Sequence, residues 1–401
     1  MRRTGRRAGA LLAAGLLLAA CGGGGDPATA PAPTGSTAPT ASRSAPPTTP
    51  SSQPPAPLRA GERFVTLAMP GRTYTPAPPA GAQDVYRCFL LDPALRAPAF
   101  VTGAEVLPGA SGAVHHAILF QVGPDQVAAA QRADAKDRGT GWTCFGGTGL
   151  PAGENPVSAL DSAPWLAAWA PGGGESVYGA GTGRRLEAGS RIVLQVHYNL
   201  RAGEGPDDTS VRLRLAPGSA RLEPLQTMLL VAPVELPCAP GETGRLCNRQ
   251  AAVLDLMNRF GEQAGRTVAG LQLLCGGNLL SPRAGRTQSC DRRVHEPLVV
   301  RAIAGHMHLL GRSIKVELNP GKPGARTLLD RKVWDFDNQR ATPLPTPATV
   351  NPGDVLRVTC THDPRLRTML PELAKEPPRY VTWGEGTADE MCLGVVVYTR
   401  P

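Results

Sequence analysis

Two histidines, His306 and His308, lie one residue apart in AIAGHMHLLG, residues 302–311, in a chain of 401 residues that has only seven histidines. The stretch is short, apolar and bounded by glycine, which is typical of a β-strand. Side chains two residues apart on a strand share one face, so both imidazoles face one side and Met307 faces the other. Two imidazoles placed in this way can bind one metal ion, although two hydrogen-bonded structural histidines would give the same pattern.

A second pair, His115 and His116, is adjacent in the apolar run VHHAILF, residues 114–120. Neighbouring side chains of an ideal strand face opposite sides. Both imidazoles can therefore bind one metal ion only at a β-bulge, at a strand end, or through different ring nitrogens. A metal site at this pair therefore requires one of these three arrangements.

A further histidine, His197, lies in the strand-like run LQVHYNL, residues 194–200. It shares a polar face with Gln195 and Asn199, and the residues between them are apolar. A polar face of this kind suits the lining of a cleft, although a histidine on a surface strand would read the same way.

A methionine, Met391, lies directly before Cys392 in TADEMCLG, residues 387–394. Its thioether sulfur is a soft ligand that favours Cu(I) over zinc or magnesium. A single methionine usually packs in a core. Five histidines in three motifs supply a reason for a soft ligand nearby, so Met391 joins the candidate ligand set.

The elements that must position these ligands are mostly β-strands, because short alternating or β-branched runs are separated by Gly- and Pro-rich turns. Two stretches, 124–137 and 250–265, have a helical pattern. Many short strands with few helices predict an all-β fold of antiparallel β-sandwiches. The predicted strands are 64–69, 85–91, 113–122, 191–200, 211–216, 226–236, 298–311, 313–319, 354–363 and 392–399.

A boundary is predicted at PGSARLEPLQ, residues 217–226, which interrupts two strand-rich halves. Each half has about the number of strands that a sandwich needs. We therefore predict one sandwich domain over residues 61–219 and another over residues 220–401. One large sandwich with insertions is the alternative.

The N-terminus predicts export. MRRTGRR is basic, ALLAAGLLLAA is a short apolar run, and LAAC ends at Cys21, which is typical of a secretory signal peptide over residues 1–20. The LAAC motif resembles the bacterial lipobox, which implies cleavage before Cys21 and lipidation of its sulfur. An ordinary signal peptide with a chance cysteine is the alternative. No other apolar run in the sequence is long enough to cross a bilayer.

Residues 21–60 consist almost entirely of Gly, Pro, Ala, Ser and Thr. Such a segment cannot bury enough apolar surface to offset its chain entropy, so we predict a disordered linker and a folded part beginning near Gly61. We expect an exported protein, attached to a bacterial membrane only through its lipid anchor, with the folded part in the periplasm or at the cell surface.

The charge of the chain gives no sign of a nucleic-acid partner. The formal net charge is +9, and it falls to about +5 without the four arginines of the predicted signal. No dense basic run is interleaved with aromatic residues, so we predict no nucleic-acid binding.

The ordered set of motifs resembles a known family. HH, a lone histidine in QVHY, HxHxLG and then EMC follow one another as in the copper type II, ascorbate-dependent monooxygenases, which include the peptidylglycine α-hydroxylating and dopamine β-monooxygenases. YRC at 86–88 and GxxxxDEMC at 384–392 strengthen the resemblance, which covers most of residues 85–400. It implies two jelly-roll-like β-sandwich domains, each holding one copper ion beside a shared cleft, with ascorbate or a similar reductant and O2 as co-substrates.

The resemblance also implies a role for each ligand. Three histidines would bind the copper ion that relays electrons: His115, His116 and His197. Three other residues would form the catalytic set around the copper ion that activates O2 and hydroxylates a C–H bond: His306, His308 and Met391. His295 and His362 match no ligand position of the family and read as structural or surface residues.

Apart from Cys21 the chain has eight cysteines, an even number that suggests four disulfides in an exported protein. No CxxC pair is present, which disfavours a structural zinc site. The resemblance implies the pairs Cys88–Cys144 and Cys360–Cys392. The remaining four cysteines can pair in three ways, and proximity in sequence favours Cys238–Cys247 and Cys275–Cys290.

Two departures from the family pattern concern the substrate. The peptide-amidating branch has an arginine two residues before the first histidine of HxH, where this chain has Ala304. That branch also has an asparagine and a tyrosine after EMC, where this chain has Leu393 and Val395. The sequence therefore does not support a C-terminal glycine peptide as the substrate.

The leading hypothesis is a monomeric copper monooxygenase acting on a small organic molecule. A non-enzymatic copper lipoprotein, which buffers or delivers the metal, would use the same ligands. A zinc hydrolase is a third hypothesis, but the thioether ligand and the absence of an HExxH motif count against it.

Overall fold

The computed structural model describes residues 54–78, 83–137, 139–151, 163–201 and 203–401. The predicted signal peptide, the predicted lipidation site at Cys21 and most of the predicted linker lie outside the described residues. None of the described helices has the length and apolar character needed to span a membrane. The described residues belong to one compact unit.

The first half of the described chain contains two sheets. Sheet I has the order β1-β10-β3-β8-β11, with β7 paired to β3, and sheet II has the order β5-β2-β9-β4-β6. All of these pairs are antiparallel except β11 with β8. The strands are β1 (Arg63–Ala68), β2 (Asp84–Leu91), β3 (Ala99–Leu107), β4 (Val114–Val122), β5 (Trp142–Thr143), β6 (Trp165–Trp169), β7 (Ser176–Val177), β8 (Thr182–Leu186), β9 (Arg191–Asn199), β10 (Ser210–Pro217) and β11 (Glu223–Pro224).

The second half contains sheet III, with the order β12-β21-β15-β18, and sheet IV, with the order β14-β19-β16-β17. A short ladder joins β13 to β20. The strands are β12 (Gln226–Val231), β13 (Glu235–Leu236), β14 (Thr287–Arg293), β15 (Leu298–His306), β16 (Gly311–Leu318), β17 (Arg326–Arg331), β18 (Thr342–Val350), β19 (Val355–His362), β20 (Val381–Thr382) and β21 (Leu393–Thr399).

Each pair of sheets encloses an apolar core. Strand β9 shows how the sequence does this, because Ile192, Leu194 and Val196 are buried between sheets I and II. The alternate residues face the other side of sheet II, where His197 lies. In the second half, side chains of both sheets III and IV form one buried cluster. The all-β, sandwich-like fold is therefore confirmed. The sheets divide between Pro224 and Gln226, and the separation into two domains stays a prediction.

The helices lie outside the sheets and are α1 (Val127–Lys136), α2 (Arg249–Phe260), α3 (Glu262–Leu274) and α4 (Leu366–Met369), with a 3₁₀ turn at Arg245–Cys247. The stretch predicted to be helical, residues 250–265, is helical except for a break at Gly261. Gly261 adopts φ of 82°, a left-handed conformation that favours glycine, and it separates two helices. The second helix continues to Leu274.

Four disulfides join the eight described cysteines in the predicted pairs, which are Cys88–Cys144, Cys238–Cys247, Cys275–Cys290 and Cys360–Cys392. The last bond crosses from β19 in sheet IV to the residue just before β21 in sheet III. It therefore fixes the chain directly after Met391.

Candidate metal centre

Two adjacent histidines of β4 reach the same site because the strand has a β-bulge. Val114 pairs with Tyr198 of β9, whereas His116 pairs with His197, so the register shifts at His115. A bulge places one extra residue on one strand and removes the strict alternation of faces. A β-bulge, one of the three arrangements expected for this pair, is therefore present.

The bulge brings three imidazoles together. One ring nitrogen from each of His115, His116 and His197 lies within 4.8 Å of the other two. The two Nδ1 atoms of His115 and His197 are 3.1 Å apart. Three imidazole nitrogens that converge in this way can bind one transition-metal ion.

The three imidazoles are held in the neutral form that binds metals. Burial lowers the pKa of His115 and of His116 well below the ordinary value, and the neighbouring imidazoles lower both values further. Burial also lowers the pKa of His197, although its hydrogen bond with Asp84 acts in the opposite direction. Because metal ions compete with protons for these nitrogens, neutral imidazoles fit the role of ligands.

The tautomer of His197 follows from its partners. Its Nε2 lies 2.9 Å from Asp84 Oδ1, and the pKa of Asp84 is lowered because its hydrogen bonds and charge contacts outweigh burial. A carboxylate can only accept, so Nε2 carries the proton and Nδ1 faces His115 with its lone pair. The ring of Tyr86 stacks on His197 with centroids 4.1 Å apart, and its hydroxyl donates to the carbonyl oxygen of Glu385.

The HxH pair lies at the end of a strand and not within one. Strand β15 ends at His306, so the strand predicted over residues 298–311 was wrong beyond that point. His308 follows in a turn. Its ring centroid nevertheless lies 5.2 Å from that of His306, because the turn keeps both side chains on one side.

Both histidines of this pair have a fixed tautomer. His306 Nδ1 is 2.6 Å from Gln339 Oε1, and the amide nitrogen of Gln339 donates to Phe336 O, so the oxygen is the acceptor. His308 Nδ1 is 3.0 Å from Asp389 O, which can only accept. Each Nδ1 therefore carries the proton, and each Nε2 offers its lone pair. Burial and the neighbouring His308 lower the pKa of His306 to about 4.

A buried carboxylate, Glu390, holds the turn that carries His308. It accepts hydrogen bonds from three backbone N–H groups, those of His308 (2.9 Å), Leu310 (2.6 Å) and Met391 (3.1 Å). Hydrogen bonds to an ionised acceptor are stronger than neutral ones. Glu390 thus fixes the HxH turn and the backbone of Met391 to each other.

Met391 lies in the same neighbourhood as the HxH pair. Its side chain is buried in the core of the second half. His306 pairs with Leu393 in the β15–β21 ladder. Glu390 Oε2 accepts from the backbone N–H of both His308 and Met391, so these two residues lie close together.

The two remaining histidines are not ligands in this arrangement. His362 is fully buried, lies 3.4 Å from Glu390 Oε2, and its Nε2 is 3.2 Å from the carbonyl oxygen of Met391. His362 therefore supports the backbone beside the site. His295 is exposed between β14 and β15.

The two groups of histidines adjoin each other. The ring centroids of His116 and His306 are 6.1 Å apart, so five imidazoles from both halves form one contiguous cluster. The ring of Phe336 packs against His115 with centroids 5.2 Å apart. A segment between β17 and β18 thus covers the cluster with an apolar ring.

The surface beside His306 is aliphatic. Ala304 and Val395 are neighbours in the β15–β21 ladder and are both half-buried, and Leu393, opposite His306, is buried. These are the positions at which the sequence departs from the peptide-amidating pattern. No side chain at these three positions can pair with a carboxylate.

The fold and the site define an all-β, disulfide-bonded protein with a cluster of five imidazoles. Residues 284–401 match a family model, that of the copper type II ascorbate-dependent monooxygenase, C-terminal domain. The matched segment contains His306, His308 and Met391. No curated protein matches this chain.

Similar solved structures carry no further argument. One is titled "Structure of PNGF-II in P21 space group", with 9% identity, a TM-score of 0.35, and coverage of 84% of this chain and 66% of that chain. Another is an allantoicase, with 10% identity, a TM-score of 0.18, and coverage of 84% and 90%. A Saccharomyces cerevisiae allantoicase has 9% identity, a TM-score of 0.19, and coverage of 82% and 81%. No conclusion follows from scores this low.

Sequence reasoning missed several residues that support the ligands, which are Asp84, Gln339, Glu390 and Thr387. Asp84 gave a weak signal, because it lies two residues before Tyr86 on the same face of β2. Glu390 is part of the EMC motif itself. Gln339 gave no signal, since its segment is distant from His306 in sequence.

Proposed function

We propose that this chain is a copper-dependent monooxygenase, which hydroxylates a C–H bond of a small organic substrate with O2 and an ascorbate-type reductant. The observation that carries the proposal is the cluster of His115, His116 and His197 beside the HxH pair of the matched segment. Neutral nitrogen ligands together with a thioether suit copper better than zinc or magnesium.

Two copper ions are proposed for each chain. The three histidines of β4 and β9 would hold one ion. The other would be held by His306, His308 and Met391, the proposed catalytic set. When bound, copper supplies the change between Cu(I) and Cu(II) that electron transfer and oxygen activation require.

The protein's own residues orient the ligands and shield them. Asp84, Gln339 and the carbonyl oxygen of Asp389 each hold one ring nitrogen, so that the other nitrogen of the same ring is available. Such outer partners typically change metal affinity or activity 10- to 100-fold when they are removed. Phe336 covers His115 and keeps water from that side of the cluster.

The substrate is proposed to be small and largely apolar where it meets the catalytic set. Ala304, Leu393 and Val395 offer aliphatic contact beside His306 and no cation for a carboxylate. A peptide that ends in glycine is therefore not expected to bind productively.

Export is also proposed. Four disulfides are typical of proteins that fold in an oxidising compartment. Together with the leader and the LAAC motif, they support a monomeric lipoprotein anchored through Cys21, with its catalytic part in the periplasm or at the cell surface.

The experiment that tests the function is turnover with labelled dioxygen. Purified protein loaded with copper is supplied with ascorbate and a panel of amines, phenethyl compounds, apolar hydrocarbons and peptides. Mass spectrometry should find one labelled oxygen atom in a product from a small apolar substrate. His308→Ala should abolish labelling, whereas His295→Ala, at an exposed site, should not change it. Tight copper binding without labelled product over the whole panel would favour a non-enzymatic copper carrier.

A further inference from the structure

The segment that carries Met391 contacts the HxH pair on one side and the residues around His197 on the other. We call residues 384–391 the Met391 loop. In this loop Asp389 accepts a hydrogen bond from His308, and Met391 is a proposed ligand of the same site. Thr387 and Glu385 of the same loop lie against β2 and β9 of the first half. Tyr86 donates its hydroxyl hydrogen to the carbonyl oxygen of Glu385 at 2.6 Å.

The hydroxyl of Thr387 makes the most direct connection. It donates to Asp84 Oδ1 at 2.8 Å, and the same oxygen lies 2.9 Å from His197 Nε2. The side-chain amide of Asn199 donates to this hydroxyl at 2.7 Å. Thr387 is buried, so its hydroxyl both donates and accepts in a fixed direction.

The other end of the Met391 loop is equally fixed. Asp389 and Gly386 bond to each other through Gly386 N to Asp389 Oδ2 (3.1 Å) and Asp389 N to Gly386 O (2.8 Å). Arg259 donates to both carboxylate oxygens of Asp389 at 3.0 and 2.7 Å. His308 Nδ1 then donates to Asp389 O. Thr387 and Asp389 are therefore parts of one stiff turn.

These contacts form a continuous path from one group of ligands to the other. It runs from His197 through Asp84 and Thr387 to Asp389 and His308, and each hydrogen bond along it is 3.0 Å or shorter. A metal ion bound at one site can change the metal affinity of the other site only if both sites favour the same arrangement of the element that joins them, here the Met391 loop. The two bonds to the Asp84 carboxylate are charge-assisted and the bond from His308 to the carbonyl oxygen of Asp389 is buried, so the Met391 loop is held at both ends and can transmit such a preference.

We propose that Thr387 is a positioning residue that couples the two metal sites, because its hydroxyl fixes the Met391 loop to the carboxylate that orients His197. Binding of copper at the histidines of β4 and β9 then favours binding at the HxH–Met391 site, and the reverse holds to the same degree. This inference rests on the proposed function for the identity of the metal.

Anaerobic titration of Cu(I) against a chromogenic chelator tests the coupling. The affinity of the first site is measured with the second site intact and with that site removed by His306→Ala, since His306 is not on the path. In the parent protein, His306→Ala should weaken the first site about 5- to 10-fold, within the usual range of coupling between sites. In a Thr387→Val background, the same replacement should change first-site affinity less than about 2-fold.

Two further variants separate coupling from simple stability. Thr387→Ser keeps the hydroxyl and should keep the coupling. Thr227→Val removes a buried hydroxyl that has no hydrogen-bond partner among the described residues, and it should also keep the coupling. A purely structural role of Thr387 would lower the unfolding temperature of Thr387→Val and leave the coupling unchanged. If Thr387→Val fails to fold, Thr387→Ala is titrated in its place.

The outcomes distinguish this inference from the proposed function. The role of Thr387 is supported if Thr387→Val loses the coupling while the parent, Thr387→Ser and Thr227→Val keep it. Equal coupling in the parent and in Thr387→Val, or no coupling in the parent, overturns it while copper binding and hydroxylation stand. A chain that binds no copper overturns the proposed function as well.

Discussion

Three of the five clustered histidines have one ring nitrogen held by the protein and the other directed to the site. His197 is held through Nε2, whereas His306 and His308 are held through Nδ1. The proposed ligand atom is therefore Nδ1 for His197, and Nε2 for His306 and His308. The acceptor oxygen beside each ring determines which nitrogen is the ligand. An oxygen that cannot donate fixes the proton on the nearer nitrogen, and the lone pair is then on the other nitrogen.

Gln339 is the support that is simplest to test. Gln339→Leu keeps the size of the side chain and removes the acceptor of His306 Nδ1. We expect the copper affinity of the HxH–Met391 site to fall about 10- to 100-fold, as is usual for such partners. The measurement is a chelator competition, with Gln263→Leu on the exposed face of α3 as the matched control. Unchanged affinity in Gln339→Leu would contradict the assigned tautomer.

Met391 is expected to supply the sulfur ligand. In Met391→Ala, hydroxylation should be lost while the first copper ion is retained. X-ray absorption of the reduced parent protein should show a copper–sulfur component that the variant lacks. Met369, an exposed methionine, provides the control variant Met369→Ala. A variant Met391→Ala with full activity would remove the role given to this residue.

The residue types of the site could be predicted, but their supports could not. The three histidine motifs and EMC name every proposed ligand from the sequence alone. The partner of His306, Gln339, is 33 positions away and lies in a segment with no recognisable pattern. A single acceptor of this kind is selected by tertiary contact, which leaves no periodicity in the sequence.

At the scale of the elements, irregular strands make the site. Strand β4 brings His115 and His116 to the site through a bulge. Strand β15 contributes His306, its last residue, and the turn that follows contributes His308. A bulge was one of three arrangements that would let two adjacent histidines reach one site, and the sequence did not choose among them. The end of β15 was not foreseen, because an apolar run such as GHMHLLG has the same composition in a strand and in a buried turn.

Strand β3 was not predicted from the sequence, for a different reason. Eight of its nine residues are buried, so the sequence AFVTGAEVL has no alternation of apolar and polar residues. Alternation reports only strands with one solvent face. The helix over residues 266–274 was missed because its amphipathic pattern is interrupted by Gly265 and Gly270.

A glycine allows sheet IV to approach β15 next to His306. A Cβ atom on Gly305 would lie 2.8 Å from Ile314 Cγ2, which is part of the packed core. We expect Gly305→Ala to lower the free energy of unfolding by about 1–3 kcal/mol through overpacking. Gly285→Ala is the control, because no heavy atom lies within 4 Å of its added Cβ. Chemical denaturation measures both, and equal stabilities of the two variants would contradict this packing.

The Met391 loop has a predictable dependence on pH through Glu385. Burial raises the pKa of Glu385 to about 8, and the nearby charge of Asp389 adds to this effect. The folded state therefore holds a proton that the unfolded chain releases near pH 4.5, and stability falls as the pH rises from about 4.5 to about 8. Glu385→Gln should remove that fall and raise the free energy of unfolding at pH 8.5 by up to about 4 kcal/mol.

Denaturation at two pH values measures this effect. At pH 4.5 the parent and Glu385→Gln should be nearly equal in stability, and at pH 8.5 the variant should be the more stable. Glu187→Gln, at an exposed position, should show no such difference between the two pH values. A variant less stable than the parent at pH 8.5 would contradict the raised pKa.

At the scale of the whole molecule, the site belongs to both halves of the chain. His115, His116 and His197 come from sheet II, whereas the HxH pair and Met391 come from sheet III and the segment before β21. The family model matches only residues 284–401, so the evidence for copper in the first half is the geometry of its histidines. The ring centroids of His116 and His306 are 6.1 Å apart, so the two groups of histidines adjoin each other.

Copper stoichiometry in site variants tests the central claim most directly. Dialysed protein is analysed for copper per chain by mass spectrometry, in the parent, in His115→Ala/His116→Ala and in His306→Ala/His308→Ala. The account predicts two copper ions in the parent and one in each double variant. Two retained ions in either double variant, or no tightly bound copper in the parent, would contradict it.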